Sequence, residues 1–257
     1  MRATLPEFVL IPAGSITLRD ARTQTERAVQ LRRFSLARTP VTWAQYAAVL
    51  GRRVPPGEDP CAAAHSMSWR EAVQWCNTAS VSRRLTPAYH IDWPTVRWQV
   101  DADGFRLPTE AEWEFACRAG TQGPTYGPLD QIAWTALDST TRAQPVGTKE
   151  PNAFTLHDML GNVWEWCWDY ADTARYADYR SLRGGGWADR PWSVRASVRR
   201  ASMPDTLLDD VGFRLAQGAV GPPGGAAAQG WSHDADVRRA AMSPRRAGWT
   251  PLPLHQH

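Results

Sequence analysis

The chain has 257 residues, of which 43% are hydrophobic and 21% charged, as is ordinary for a globular protein with one large or two small domains. Its formal net charge of +3 is too small and too evenly spread to indicate a nucleic-acid partner. Because no stretch approaches the roughly 18 apolar residues of a membrane helix and no secretory signal is visible, we expect a soluble, cytoplasmic protein without a membrane partner.

Short apolar and β-branched stretches predict strands in the first half of the chain. Residues 8–18 surround the turn-forming Pro12 and Gly14, and they predict two short strands. Residues 27–36 predict another strand. Residues 85–100 contain two prolines that break any helix, and they predict a pair of short strands or an ordered loop.

Three helix starts share the same local chemistry. Thr42, Ser68 and Thr109 each precede Glu or Gln by three residues, which is the capping-box pattern. The first of these helices is predicted to stop at Gly51 and the third at Gly120.

Residues 152–170 form the stretch around which the rest of the chain is organised. Its second half alternates, and three indoles on one strand face predict the floor of a core. The acceptors Asp158 and Glu165 are either polar groups of a turn and a strand surface or, with the carbonyls between them, ligands of a hard cation such as calcium. The alternating residues are Trp164, Trp166 and Trp168 on one face, and Glu165, Cys167 and Asp169 on the other.

Residues 181–216 predict the last strands of the domain. Around residues 194–199 small apolar residues alternate with polar ones, so one face is expected to be buried and the other to carry guanidinium groups. From residue 218 to 257 the sequence is rich in Gly, Pro and Ala. We therefore predict a domain over residues 1–217 followed by a flexible tail over residues 218–257.

Several motifs resemble the formylglycine-generating enzyme, or sulfatase-modifying factor, family. They are FVLIPAG, TPVTWAQYAAVLG, SMSWREAVQWCN, GFRLPTEAEWEFACRAGT, LHDMLGNVWEWCWD, RGGGWADRP and VGFRLA, in the family's order over residues 8–216. The resemblance implies an α+β, C-type-lectin-like fold with low regular secondary structure, in which a few helices surround small antiparallel sheets. It also implies two structural calcium ions.

The implied calcium site in GNVWEW uses the side chains of Asp158 and Glu165 with the carbonyls near Gly161 and Val163. The second implied site lies within residues 134–147, where the sequence does not assign its ligands.

The family's oxidising activity needs a pair of cysteines that binds copper(I), for which soft thiolates are required. Asp189 and Val194 occupy the corresponding positions here, and no cysteine follows Cys167. Copper and formylglycine formation are therefore not expected. An iron site is left open, although the histidines show no facial-triad spacing. Whether the chain is an enzyme stays undecided at this point.

The variable proteins of diversity-generating retroelements, a branch of this family, bind ligands with the same GGxW to GFRxA segment. Here that segment is rich in Trp and Arg, the residue types most often found as binding hot spots. Alternatively, its tryptophans pack the core and its arginines lie on a solvated face. The candidate ligand-binding residues are Trp187, Asp189, Arg190, Trp192, Ser193, Arg195, Ser197, Arg199 and Arg200.

Three functional hypotheses follow. The first is a calcium-stabilised scaffold for a peptide, protein or small-molecule ligand. The second is an oxygen-dependent oxidoreductase of the formylglycine-generating or sulfoxide-synthase type that uses other metal ligands or a partner protein. The third is a structural subunit whose tail docks onto a partner.

Overall fold

The computed structural model describes residues 5–20 and 24–242. Within these ranges the elements are short and joined by long irregular connections. The helices are α1 (Trp43–Val49), α2 (Trp69–Ser82), α3 (Glu110–Arg118), α4 (Leu129–Ile132), α5 (Thr173–Tyr176) and α6 (His233–Ala241), with a 3₁₀ turn at Ala136–Asp138. The strands are β1 (Phe8–Ile11), β2 (Gly14–Asp20), β3 (Thr25–Leu31), β4 (Phe34–Ala37), β5 (Tyr89–Asp92), β6 (Thr95–Trp98), β7 (Phe105–Arg106), β8 (Trp164–Tyr170), β9 (Arg180–Arg183), β10 (Arg199–Ser202), β11 (Val211–Gly212), β12 (Ala216–Gln217), β13 (Ala227–Ala228) and β14 (Trp231–Ser232).

Two four-stranded sheets form the framework, in the orders β1-β4-β12-β7 and β10-β9-β8-β11. In the described part of the chain, every pairing within these two sheets is antiparallel except that of β11 with β8. Three two-stranded hairpins, β2-β3, β5-β6 and β13-β14, lie outside these sheets. The predicted α+β class with small antiparallel sheets is thus confirmed. The prediction of a single strand in residues 27–36 is wrong, because this stretch is divided between β3 and β4.

The capping boxes begin the helices as predicted. In α1, α2 and α3 the N-cap hydroxyls of Thr42, Ser68 and Thr109 accept from the backbone N–H three residues on, and the Gln or Glu side chain accepts from the N-cap N–H. After α3, Ala119 and Gly120 both adopt positive φ, which ends the helix.

Strand β8 is buried on both faces. Trp166 and Trp168 are 0% and 2% exposed, and Glu165 on the other face is 0% exposed. The ring of Trp168 stacks on Tyr89 at 5.0 Å between centroids, and the Trp69 ring lies 5.5 Å away. The indole face is therefore the core floor that the alternation predicts, whereas the acidic face is a second, polar interior.

Residues 218–242 pack against the domain, so the predicted flexible tail is wrong over this range. The ring of Trp231 is 9% exposed and lies 5.5 Å from those of both Trp98 and Trp168. The Gln229 amide donates to Glu112 Oε1 at 2.8 Å and accepts from the Arg32 N–H at 2.9 Å. Glycine and proline shape the turns of this segment, while one indole and one amide anchor it. The rest of the predicted tail, residues 243–257, lies outside the described residues.

None of the described helices is both long and apolar enough to cross a membrane.

Candidate functional site

The polar interior behind β8 is centred on an ion pair between Glu165 and Arg214, both 0% exposed. Arg214 Nη2 lies 2.8 Å from Oε1 of the carboxylate, and Nε lies 3.0 Å from Oε2. The Trp113 indole N–H donates to Oε2 at 2.7 Å. The same guanidinium donates from Nη1 to the Ala37 carbonyl at 2.9 Å, so it connects strands of both four-stranded sheets.

Asp158 lies beside this pair and is 1% exposed. Its Oδ2 accepts from the Gly147 N–H at 2.7 Å, whereas the one described contact of Oδ1 is with the Asn162 amide at 3.5 Å. Asp158 adopts φ 53° and Gly161 φ 74°, so the chain turns tightly between the two carboxylates.

The donor chemistry of this turn fits calcium, because carboxylate and carbonyl oxygens are its preferred ligands. Asp158 Oδ1 has spare acceptor capacity, and the predicted Gly161 and Val163 carbonyls lie in the turn that follows it. Glu165 fits less well than the sequence predicts, because Arg214 already compensates its charge.

Burial raises the pKa of Asp158 above its usual range, and the Arg214 guanidinium opposes that shift. Burial likewise raises the pKa of Glu165, with Arg214 again opposing and the Asp158 charge adding to the rise. If both carboxylates are ionised, one guanidinium leaves a net negative charge here, which a cation would offset.

In the region implied to hold a second calcium ion, the carboxylate of Asp138 forms an ion pair with Lys149. Lys149 Nζ lies 2.9 Å from Asp138 Oδ1 and donates to the Asp130 carbonyl at 2.6 Å. The ammonium also lies 4.3 Å from the ring centroid of Trp134. Since Lys149 is the only lysine of the chain, this cation is a particular feature of the segment.

The candidate binding loop begins at two glycines in close contact with the chain. A Cβ on Gly185, which has φ 83°, would lie 2.9 Å from Val194 Cγ2. A Cβ on Gly186 would lie 3.0 Å from Asp210 Cβ. A side chain at residue 185 would clash with residue 194, and one at residue 186 would clash with residue 210. Glycine at both positions therefore lets the loop pack closely against these residues.

Asp189 and Val194 occupy the positions at which the resemblance places the copper-binding cysteines. In this structure the first side chain accepts hydrogen bonds and the second packs in the core. Asp189 Oδ2 accepts from the Trp164 indole N–H at 2.6 Å and from the Gly186 N–H at 2.9 Å. Val194 is 0% exposed and packs in the main core. Neither side chain supplies a soft metal ligand.

The other candidate ligand-binding residues divide into packed and exposed groups. Trp187 packs on the small cluster of Ala63, Ala143 and Val163, and Ser193 is buried. Arg199 pairs with Glu110 at 2.6 Å, and Arg200 Nη1 lies 3.5 Å from Asp210 Oδ2. Arg190, Trp192, Arg195 and Ser197 are exposed, as are the ion-paired Arg199 and Arg200. The alternation predicted for residues 194–199 is confirmed, although the stretch is a series of turns and not a strand before Arg199.

Sequence reasoning missed Asp210 and Arg214. Arg214 lies in the GFRLA motif, but nothing in that motif names a partner 49 residues away. Asp210 belongs to a loop with two neighbouring acids, and only the fold brings it against Gly186 and Arg200.

A separate open groove of about 500 Å³ lies along α1. The described residues that line it are all uncharged and so offer no counter-ion to a charged ligand. They are Thr42, Ala44, Gln45, Ala48, Pro60, Cys61 and Val146.

The thiols are not grouped into a metal site in the described part of the chain. Cys76, Cys117 and Cys167 are buried and Cys61 is exposed, and all four are free. Burial raises the pKa of the three buried thiols, which favours the neutral form. No group of three or more His, Cys, Asp or Glu among the described residues has an arrangement that would hold a metal ion.

A protein-family model matches most of the chain. Residues 1–219 match the model of the sulfatase-modifying factor enzyme 1-like domain. The chain therefore belongs to the formylglycine-generating enzyme family, as its motifs predict.

Individual relatives differ in what their names describe. The chain is 27% identical to the chaperone protein LppX of Paenibacillus barcinonensis, over 81% of this chain and 88% of that protein. It is 36% identical to the inactive C-alpha-formylglycine-generating enzyme 2 of Bos taurus, over 54% and 52% of the two chains. It is 32% identical to the formylglycine-generating enzyme of Streptomyces coelicolor, over 55% of each. The chain thus spans about half the length of these last two relatives.

Among solved structures, Treponema denticola variable protein 1 is similar with a TM-score of 0.74 and 28% identity, over 82% of this chain and 94% of that chain. The structure of CarF is similar with a TM-score of 0.69 and 24% identity, over 83% and 98% of the chains, a likeness that concerns the fold alone.

Proposed function

We propose that this chain is a calcium-stabilised binding scaffold of the family, which takes a peptide or protein ligand on the exposed face of residues 186–200. The face presents Trp192, 67% exposed, between the exposed guanidinium groups of Arg190 and Arg195. Trp and Arg combine apolar area with directed polar contacts, as binding hot spots do.

The observation that carries this proposal is the use made of Asp189 and Val194. The first side chain fastens the loop to β8, and the second anchors it in the core. Oxidising relatives require a thiolate at both positions. In this chain the two side chains instead fix the backbone of the proposed binding loop. A substrate of such relatives would therefore meet no copper(I)-binding thiolate pair at residues 189 and 194.

Named relatives support a binding role. One similar protein is called a chaperone, another an inactive formylglycine-generating enzyme, and the similar structure with the TM-score of 0.74 is a variable protein. A chaperone binds protein segments, so a peptide or protein ligand agrees with that name better than a small molecule does.

Calcium forms the structural part of the proposal. Asp158, with the Gly161 and Val163 carbonyls, would hold the ion, and Glu165 would add its charge nearby. The ion would offset the surplus negative charge beside Arg214 and fasten the turn into β8.

The test is selection of a random 12-residue phage-displayed peptide library on the purified chain, with Trp192→Ala selected in parallel. We expect peptides that bind the wild type and lose at least about tenfold in affinity with Trp192→Ala. Peptides that bind both proteins equally, or no enriched peptide at all, would contradict the proposal.

An oxidoreductase that uses other ligands or a partner's metal is the second candidate, favoured by the similarity to the Streptomyces coelicolor enzyme. Elemental analysis of the natively purified, untagged chain separates the two. Calcium without copper or iron agrees with the scaffold. Stoichiometric copper or iron, with oxygen consumption on a cysteine-containing peptide, would favour the oxidoreductase.

A further inference from the structure

We infer that the partner of this scaffold is an acidic peptide segment of another protein, in which carboxylates flank an apolar side chain. This inference rests on the proposed function and specifies the chemistry of its ligand. The surface concerned is formed by residues 190–195 and is called the 190–195 surface below.

The first observation is the pairing state of the loop arginines. Arg199 and Arg200 form ion pairs with Glu110 and Asp210. Arg190 and Arg195 are exposed and form no ion pair with any described residue. A guanidinium matches a carboxylate in a two-bond, planar geometry, so each of these two groups is an available site for an acidic side chain.

The second observation is the apolar area that accompanies them. Trp192 is 67% exposed although its neighbours Ser193 and Val194 are buried. Leu137, 73% exposed, belongs to the segment that is tied to this loop where the Ala136 N–H donates to the Asp189 carbonyl at 2.9 Å. The flanking charges and the apolar area together suit an acidic segment with an aromatic or aliphatic side chain.

The third observation is the anchoring of the backbone beneath this surface. Arg183 Nη1 donates to the Ala196 carbonyl at 3.0 Å, and the Ala196 N–H donates to the Pro124 carbonyl at 2.8 Å. Val194 fills the space over Gly185. Because the backbone is already ordered, binding costs little conformational entropy.

The acids around the surface argue for discrete carboxylates and against a polyphosphate chain. Asp209 is exposed and its carbonyl accepts from the Trp187 indole N–H at 3.4 Å, and Asp210 Oδ2 lies 3.5 Å from Arg200 Nη1. A nucleic-acid backbone that followed the arginines would also meet these acids, and like charges repel. A short segment with two or three carboxylates can contact Arg190 and Arg195 alone.

The experiment analyses the composition of the 12-residue peptides enriched on the wild type. Synthetic peptides are then measured by fluorescence anisotropy at 50 and 500 mM NaCl, each beside a copy with Gln for Glu and Asn for Asp. The variants are the Arg190→Gln/Arg195→Gln pair and, as a matched control at exposed arginines elsewhere, the Arg33→Gln/Arg53→Gln pair. A 12-residue oligo-dT strand serves as the polyanion probe.

We expect enriched Asp and Glu beside a Trp, Phe or Leu, and at least about tenfold weaker binding by the uncharged copies and by the Arg190/Arg195 variant. High salt should weaken binding, and the Arg33/Arg53 variant should bind like the wild type. All variants should have the same thermal midpoint as the wild type, because the altered side chains are exposed.

Three outcomes would overturn the inference. Enriched peptides without an acidic excess, still dependent on Trp192, would remove the acidic partner and leave the scaffold standing. Tighter binding of the oligo-dT strand than of any peptide would assign the surface to nucleic acid. Failure to enrich any peptide would remove both the acidic partner and the scaffold.

Discussion

Arg214 forms a buried ion pair with Glu165 in the interior of this domain, in which Nη2 lies 2.8 Å from Oε1 and neither side chain is exposed. The pair joins the tryptophan strand to the last motif of the domain, 49 residues later. The Trp113 indole and the carbonyls of Ala37 and His157 complete its hydrogen bonds. A buried pair so satisfied is sensitive to the loss of either partner.

Glu165→Gln should therefore lower the free energy of unfolding by about 3–5 kcal/mol, because it removes the carboxylate that accepts directly from the buried Arg214 guanidinium. Urea denaturation followed by tryptophan fluorescence measures the change. The matched control is Glu7→Gln, which breaks the exposed pair with Arg38 and should cost about 1 kcal/mol or less. A loss below about 1 kcal/mol for Glu165→Gln would show that the pair does not hold the interior together.

Calcium should raise the thermal midpoint of the EDTA-treated wild type, because an ion bound only to the native state adds stability by mass action. At a concentration of about 100 times Kd the gain is about 2.7 kcal/mol. Asp158→Gly should lose this response, since glycine keeps the positive φ while removing the carboxylate.

Scanning calorimetry in EDTA, calcium and magnesium measures this response, and magnesium should act more weakly. Identical melting of the wild type in EDTA and in calcium would contradict the calcium site.

Trp231→Ala should destabilise the chain by about 3–5 kcal/mol, because it leaves a large cavity beside Trp98 and Trp168. Hydrogen exchange should then become faster in β13, β14 and α6. The matched control is Val237→Ala on α6, where the side chain is 54% exposed and the cost should stay within about 0.5 kcal/mol. Equal stabilities of the two variants would mean that residues 218–242 do not support the fold.

Stability should also fall as the pH rises from 5 to 8. Burial and the nearby Glu110 charge raise the pKa of Asp169 to about 7, and burial raises that of Asp236 to about 6. A carboxyl with a raised folded pKa favours the protonated form of the native state. Its contribution is complete below the unfolded pKa, near 4, and is lost as the pH rises through 6 and 7.

Asp169→Asn should flatten this slope, since its amide oxygen can still accept from the Glu110 N–H without a charge. Urea midpoints at pH 5, 6, 7 and 8 for both proteins make the comparison. The opposite trend in the wild type, or an unchanged slope in the variant, would disprove the assignment.

Features that depend on interactions among a few neighbouring residues could be predicted from the sequence. The three capping boxes, the indole face of β8 and the alternation around Val194 depend on hydrogen bonds and side-chain directions within one or two turns. The absence of a thiolate at residues 189 and 194 is equally local, because it needs only the identity of two side chains.

The tertiary structure alone decided which charges meet. Nothing local says that Arg214 faces Glu165, or that Arg199 is paired while Arg195 has no ion pair among the described residues. Nor does anything local say that Trp231 packs in the core from a Gly- and Pro-rich segment. The physical reason is that an ion pair or a buried ring depends on the distance between groups far apart in sequence. That distance exists only once the sheets and helices have packed.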